Sequence, residues 1–194
     1  MTKREEQKIL RRQQILEKGL ELFVEKGYNA TKISDIAKAA NMSVGLMFHY
    51  FESKEKLYEE LIMLGLQGTQ TVMNYKNESS ILIFEQATRN IFEVIHSNPL
   101  VAKMFILMER TQHNVELPKR IRDLANEVNN IPMSVPLIEK GQRNGEIKKG
   151  NPLALSVAFW CSIQGIAETI AMHPELPCPD PEWVLDIIRK KENE

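Results

Sequence analysis

Apolar residues in this chain recur at intervals of three and four, and no stretch alternates convincingly enough for a strand. That periodicity predicts an all-α fold. Leu16, Leu20 and Phe23, with Ile15, Gly19 and Leu22 beside them, make the buried stripe of a first helix from about Glu5 to Lys26. Gly27 ends it. Ile33, Ile36 and Ala37 give the next helix one apolar face, with Thr31 or Ser34 able to cap its start and Asn41 suited to stop it. Ser43 caps a second short helix, Val44 to Tyr50, and Ser53 opens a third whose apolar side begins at Leu57. Two short helices joined by a tight turn form a helix-turn-helix, whose second helix fits the major groove of DNA.

Behind this head the helical period continues. Ser53 to about Tyr75 predicts a longer helix, and the polar segment KNESS (76–80) breaks the pattern. Ile81 to His96 and Val101 to about Thr111 follow, divided by Asn98-Pro99. A stretch opened by Leu117-Pro118 runs through Arg122, Leu124 and Val128, and Pro132 and Pro136 are expected to kink or interrupt it. Pro152 to Met172 has hardly any polar face, so it must be covered on all sides. It carries a stripe of small residues, Ala154, Ala158, Cys161 and Gly165, that would let another helix approach closely. Asp180 caps a final helix from Pro181 to about Lys191. The apolar helix is either the centre of a monomer core or, as we prefer, part of an isologous four-helix interface that the last two helices form with a second copy. Trp183 and Ile187 on the final helix belong to that expected interface.

The residues Leu22, Phe23, Lys26, Gly27, Tyr28, Thr31, Asp35, Ile36, Ala37 and Ala40 stand at fixed spacing ahead of Ser43, Gly45, His49, Tyr50, Phe51, Ser53, Lys54, Glu55 and Leu57. This pattern resembles the DNA-binding domain of the TetR family of transcriptional regulators. The resemblance covers roughly the first third of the chain. It implies an N-terminal three-helix helix-turn-helix DNA-binding domain, 1–58, and a larger helical ligand-binding and dimerisation domain, 59–194.

Carried over by position, the resemblance puts Lys32 and Ser34 next to phosphate and Ser43, Val44, Gly45 and Leu46 where base edges are reached. It gives His49 and Tyr50 hydrogen bonds to backbone oxygens, and Lys54 a charge at the start of the next helix. Three positions depart from the family's habit: Val44 replaces a basic residue, Leu46 a Thr and Phe48 a Tyr. The reading helix is therefore unusually apolar, and Val44 and Leu46 can meet only thymine methyls or sugars. The family plan also implies a ligand pocket in the rear domain, for which Phe84, Phe92, Met104, Phe105, Met108, Trp160 and Gln164 are candidates. Gln112 and His113 could orient a polar group.

Composition narrows the classes further. Hydrophobic residues at 43% and charged residues at 26% are ordinary for a soluble globular protein. No apolar run reaches about 18 residues without a charge, and the polar N-terminus has no signal-peptide core, so no membrane partner and a cytoplasmic location are expected. Residues 1–58 carry eleven Lys or Arg against eight Asp or Glu, a mildly basic head on an acidic body. The four histidines form no metal-binding pair, two cysteines make no disulfide scaffold, and there is no GxSxG or phosphate-binding loop. Neither catalytic residues, metal nor cofactor is expected. Together these features read as a homodimeric repressor that binds a palindromic double-stranded operator through Lys32 to Phe51 and is released by an unidentified small apolar effector. The alternative is an all-helical interaction module of the same fold that no longer binds an operator.

Overall fold

The computed structural model describes residues 2–70 and 79–191. The helices are α1 (Lys3–Ala30), α2 (Ile33–Ala39), α3 (Val44–Phe48), α4 (Lys54–Gln70), α5 (Ser80–Ser97), α6 (Pro99–His113), α7 (Lys119–Ala125), α8 (Asn130–Arg143), α9 (Pro152–Met172) and α10 (Pro181–Leu185). The expected end of the fourth helix at Tyr75, and most of KNESS, lie outside the described residues. Among the described residues the only strand-like pairing is an isolated bridge between Ile147 and Arg189. The chain divides into two compact units, Met1–Gly65 with Ile106–Ala125, and Leu66–Phe105 with Asn126–Glu194.

In the first unit α1 buries Ile15, Gly19, Leu20 and Phe23, one residue round from the expected stripe, and Leu16 is only half-buried. Gly19 matters because a Cβ there would stand 2.7 Å from Leu57 Cδ2. Its missing side chain leaves room for the first turn of α4. The break at Gly27 is real, with φ at 79°, and one further turn of helix follows it. Thr31 does not cap α2 as expected. Its hydroxyl donates to the carbonyls of Gly27 (2.7 Å) and Leu22 (3.1 Å), so it is fully buried closing the end of α1. Lys32 takes the cap position of α2, with no side-chain bond to the helix, and Ser34 lies inside it.

Further along this unit the Tyr58 hydroxyl meets Thr111 Oγ1 at 2.7 Å inside the core, and the Arg120 guanidinium forks onto the Glu59 carboxylate. The hydrogen bonds from Arg120, which outweigh burial, hold the Glu59 carboxyl down at about 2. A carboxyl lowered from its ordinary 4.5 contributes stability that is present above that value and lost as pH falls toward 2. Arg120→Gln is therefore expected to flatten the acid limb of the stability curve between about pH 5 and pH 2 relative to wild type. Urea unfolding across that range checks it, and parallel curves for the two proteins would refute it.

The second unit centres on Phe84, Phe92, Ile138, Phe159, Ile163 and Leu185. Phe159 meets Phe84 and Trp160 edge-on, with ring centroids 5.0 and 5.1 Å apart. The Trp160 indole N–H donates to Ser134 Oγ at 3.0 Å, and Ser134 and Ser156 share a bond of 2.7 Å, so the buried indole donor is satisfied.

Two expectations fail here. Pro132 and Pro136 do not interrupt a helix; the break comes earlier, between Ala125 and Asn130, and α8 runs through both prolines. Pro132 costs nothing because it sits in the first turn, where an N–H has no helical partner. The final helix ends at Leu185 rather than near Lys191. Lys148 N donates to Ile188 O at 3.0 Å and Lys190 N to Glu146 O at 3.2 Å, and this extended strap replaces further helical turns.

Within the single chain α9 is covered on one side. It buries Ser156, Phe159, Trp160, Ile163 and Ala167, while Leu153, Val157 and Met172 on other faces are exposed. By length and composition α9 could cross a membrane, against the expectation of no such segment, yet one of its sides packs against α5, α8 and α10.

Candidate nucleic-acid interface

The first unit presents α3 to solvent, and local chemistry explains how. Asn41 adopts φ of 54°, the left-handed conformation that stops α2. Ser43 Oγ then accepts from Leu46 N at 3.1 Å and starts α3. The helix lasts five residues, shorter than the expected Val44 to Tyr50, because His49 is already its C-cap. Met47 is fully buried and Phe51 nearly so, and they anchor the helix.

The opposite side is bare. Ser43, Val44, Gly45, Phe48 and His49 are exposed together, and Leu46 and Tyr50 are half-buried at its edges. A Cβ on Gly45 would meet nothing within 4 Å, so a DNA surface can approach the backbone there without displacing any of the chain. Lys32 and Ser34 are exposed at the start of α2.

Lys54 occupies a different place. Its ammonium donates to the carbonyls of Tyr28 (2.7 Å) and Thr31 (2.9 Å) and lies 4.2 Å from the centre of the Tyr28 ring. Burial pushes its pKa below the ordinary lysine value. Two of its three donors thus bind the end of α1 to the start of α4.

Arg12 stands apart from Lys3, Arg4, Lys8 and Arg11, the other cations near the start of α1. Arg12 forks onto Glu60, donates to Tyr50 O at 2.8 Å and stacks 4.4 Å from the Phe51 ring centre. It fixes the end of α3 while its side chain stays partly exposed. The signal was present in the sequence: positions 12, 15, 19 and 23 fall on one helical face, the buried one. Arg4, Gln7, Lys8 and Arg11 instead line an open groove of about 520 Å³, with Glu5 on the same wall and Leu46, His49 and Tyr50 opposite.

In the second unit Phe84, Phe92 and Trp160 are core residues, with Phe105 packed against them and Met104 half-buried. Gln164 Nε2 donates to Phe105 O at 3.2 Å and to Glu168 Oε1 at 2.7 Å. Met108 belongs to the first unit, as do His113, which is exposed, and Gln112, whose amide donates to Ala125 O at 2.9 Å. Ala154, Ala158, Cys161 and Gly165 are all exposed on α9, Trp183 is 69% exposed on α10, and Ile187 is half-buried against the core.

A capped, solvent-facing short helix held across a tight turn from α2 defines a helix-turn-helix protein of the DNA-binding class. Residues 15–61 match the family model described as bacterial regulatory proteins, tetR family. Over that segment the chain is similar to the N-terminal domain of TetR-family regulators. It is 28% identical over 155 residues to the uncharacterized HTH-type transcriptional regulator YuxN of Bacillus subtilis (strain 168), covering 79% of this chain and 51% of YuxN. The chain thus spans about half the length of that relative. To YhgD, another uncharacterized HTH-type transcriptional regulator of the same strain, it is 27% identical over 173 residues, 86% of this chain and 87% of YhgD. The crystal structure of AibR in complex with isovaleryl coenzyme A and operator DNA shares the fold, with a TM-score of 0.66 at 17% identity, covering 91% of this chain and 94% of AibR.

Proposed function

We propose that the protein is a cytoplasmic, homodimeric repressor that inserts α3 of each subunit into successive major grooves of a palindromic operator. The observation that carries this is the bare face of α3, where Ser43, Val44, Gly45 and His49 are exposed on a helix anchored from behind by Met47 and Phe51. Val44 and Leu46 offer methyl groups and no hydrogen bonds, so the half-site should present thymines to them. Lys32, Ser34, His49 and Tyr50 supply phosphate contacts that set the register, and Lys54 shapes the surface more than it binds DNA.

The outward stripe of α9 supports the dimer. Ala154, Ala158, Cys161 and Gly165 leave a shallow face over which a second α9 can lie, and exposed Leu153, Val157, Met172 and Trp183 supply apolar area to bury. Residues 59–194 would then serve dimerisation and hold an effector beside Phe84, Phe92, Met104, Phe105, Trp160 and Gln164. That AibR is found with both a small molecule and operator DNA supports such an effector. An effector that binds the DNA-free state better would shift the population away from the operator.

Selection of bound duplexes from a random library tests the reading. The expected consensus is a palindrome with half-sites about one helical turn apart and A·T pairs facing α3. Replacing those A·T pairs by G·C should cost about 1–3 kcal/mol per pair. Equal binding of both duplexes would sink the thymine assignment, and recovery of no sequence at all would favour a protein-interaction module.

A further inference from the structure

The groove beside α3 carries charge that the reading helix lacks. Arg4, Lys8 and Arg11 follow one another at four and three residues, so they share one face of α1 over about 10 Å of helix axis. A DNA strand presents roughly one phosphate per 3.4 Å of its axis, so the strip matches about three phosphates. Among the described residues none of these three cations has a carboxylate partner, whereas Arg12 and Lys18 on the same helix are paired with Glu60 and Glu21. The groove's own acid, Glu5, accepts from Thr2 N at 2.6 Å and so is engaged in capping α1. The opposite wall, His49 and Tyr50, is held in place from inside by the bond from Arg12 to Tyr50 O.

We infer that this groove is a second phosphate-binding strip, in which Arg4, Lys8 and Arg11 grip the sugar-phosphate backbone of the strand flanking the major groove that α3 enters. The inference rests on the DNA-binding reading and adds to it a source of affinity. A reading helix that offers Val44, Leu46 and Phe48 makes few charged contacts, and the α1 strip supplies the missing ones without reading sequence. Its contribution is electrostatic, equal for every sequence and eroded by salt.

The test is the triple variant Arg4→Gln/Lys8→Gln/Arg11→Gln against wild type, each titrated onto the selected operator and a scrambled duplex at several salt concentrations. Every cation removed from a phosphate should lower the slope of log K against log salt by about 0.9, so the triple variant, which empties a strip in each of two subunits, should be shallower by about 5. Affinity for operator and scrambled duplex should fall by the same factor. The control Arg4→Lys/Arg11→Lys, which keeps the charges, should retain the wild-type slope. The three side chains are exposed, so the melting curve should stay unchanged and exclude misfolding as the cause.

An unchanged slope in the triple variant would overturn the strip while leaving operator binding intact. A loss confined to the operator would show base reading and overturn it too. Absence of salt-sensitive binding by wild type would overturn both readings.

Discussion

Ala158→Glu is expected to run as a monomer in analytical ultracentrifugation at micromolar concentration and to lose about 100-fold or more in operator affinity. Ala158 is exposed in the middle of the small-residue stripe of α9, so in a single chain the glutamate would lie in water and cost almost nothing. The cost arises only on association. Two-fold symmetry places every interface substitution in the complex twice, and two carboxylates would be buried among Leu153, Val157 and Ala154 without partners. A lone subunit retains one reading helix and falls toward nonspecific affinity, which is typically a thousandfold or more weaker than specific binding. Unchanged thermal stability with lost dimerisation would separate this outcome from misfolding. A dimer that survives Ala158→Glu would remove α9 from the interface.

Phe23→Ala should have the largest effect on the fold. Phe23 is 2% exposed and meets the Tyr58 ring edge-on at 4.8 Å and the Tyr28 ring at 5.9 Å. Truncating a buried phenylalanine costs about 3–5 kcal/mol through lost burial and the cavity left behind. Around it stand groups that resist collapse into that cavity. Tyr58 is tied to Thr111, and Tyr28 lies under the Lys54 ammonium. The expected fall in melting temperature is at least about 12 °C for a unit of this size. Phe23→Leu, which keeps most of the volume, should cost less than half as much. Thermal denaturation followed by circular dichroism reads both, and equal melting of wild type and Phe23→Ala would contradict this packing.

The helix-turn-helix was legible in the sequence because its determinants are local. Ser43 reaches three residues ahead to Leu46 N, Asn41 needs only its own backbone angle, and Gly27 likewise. Long-range partners were not legible. Thr31 reaches back nine residues to Leu22, and Lys54 reaches back twenty-six to Tyr28. A motif places Lys54 near DNA without saying that its donors are already engaged. The rear helices were countable from punctuation such as Asn98-Pro99 and Asn151-Pro152, but the break after Ala125 has neither glycine nor proline. Asn129, whose side chain accepts from Ile131 N at 3.1 Å, was its one signal. The strap that ends α10 depends on residues forty positions earlier, beyond the reach of any periodicity.

Whether the protein is an operator-binding dimer is tested most directly by titrating it onto its own upstream DNA across salt concentrations, with the stoichiometry determined on the same samples. Two chains per site, nanomolar-range affinity at low salt and a steep linear fall of log K with log salt are expected. Weak binding of single chains, or binding indifferent to salt, would contradict operator recognition by a dimer. The bare face of α3 would then be a surface for another protein.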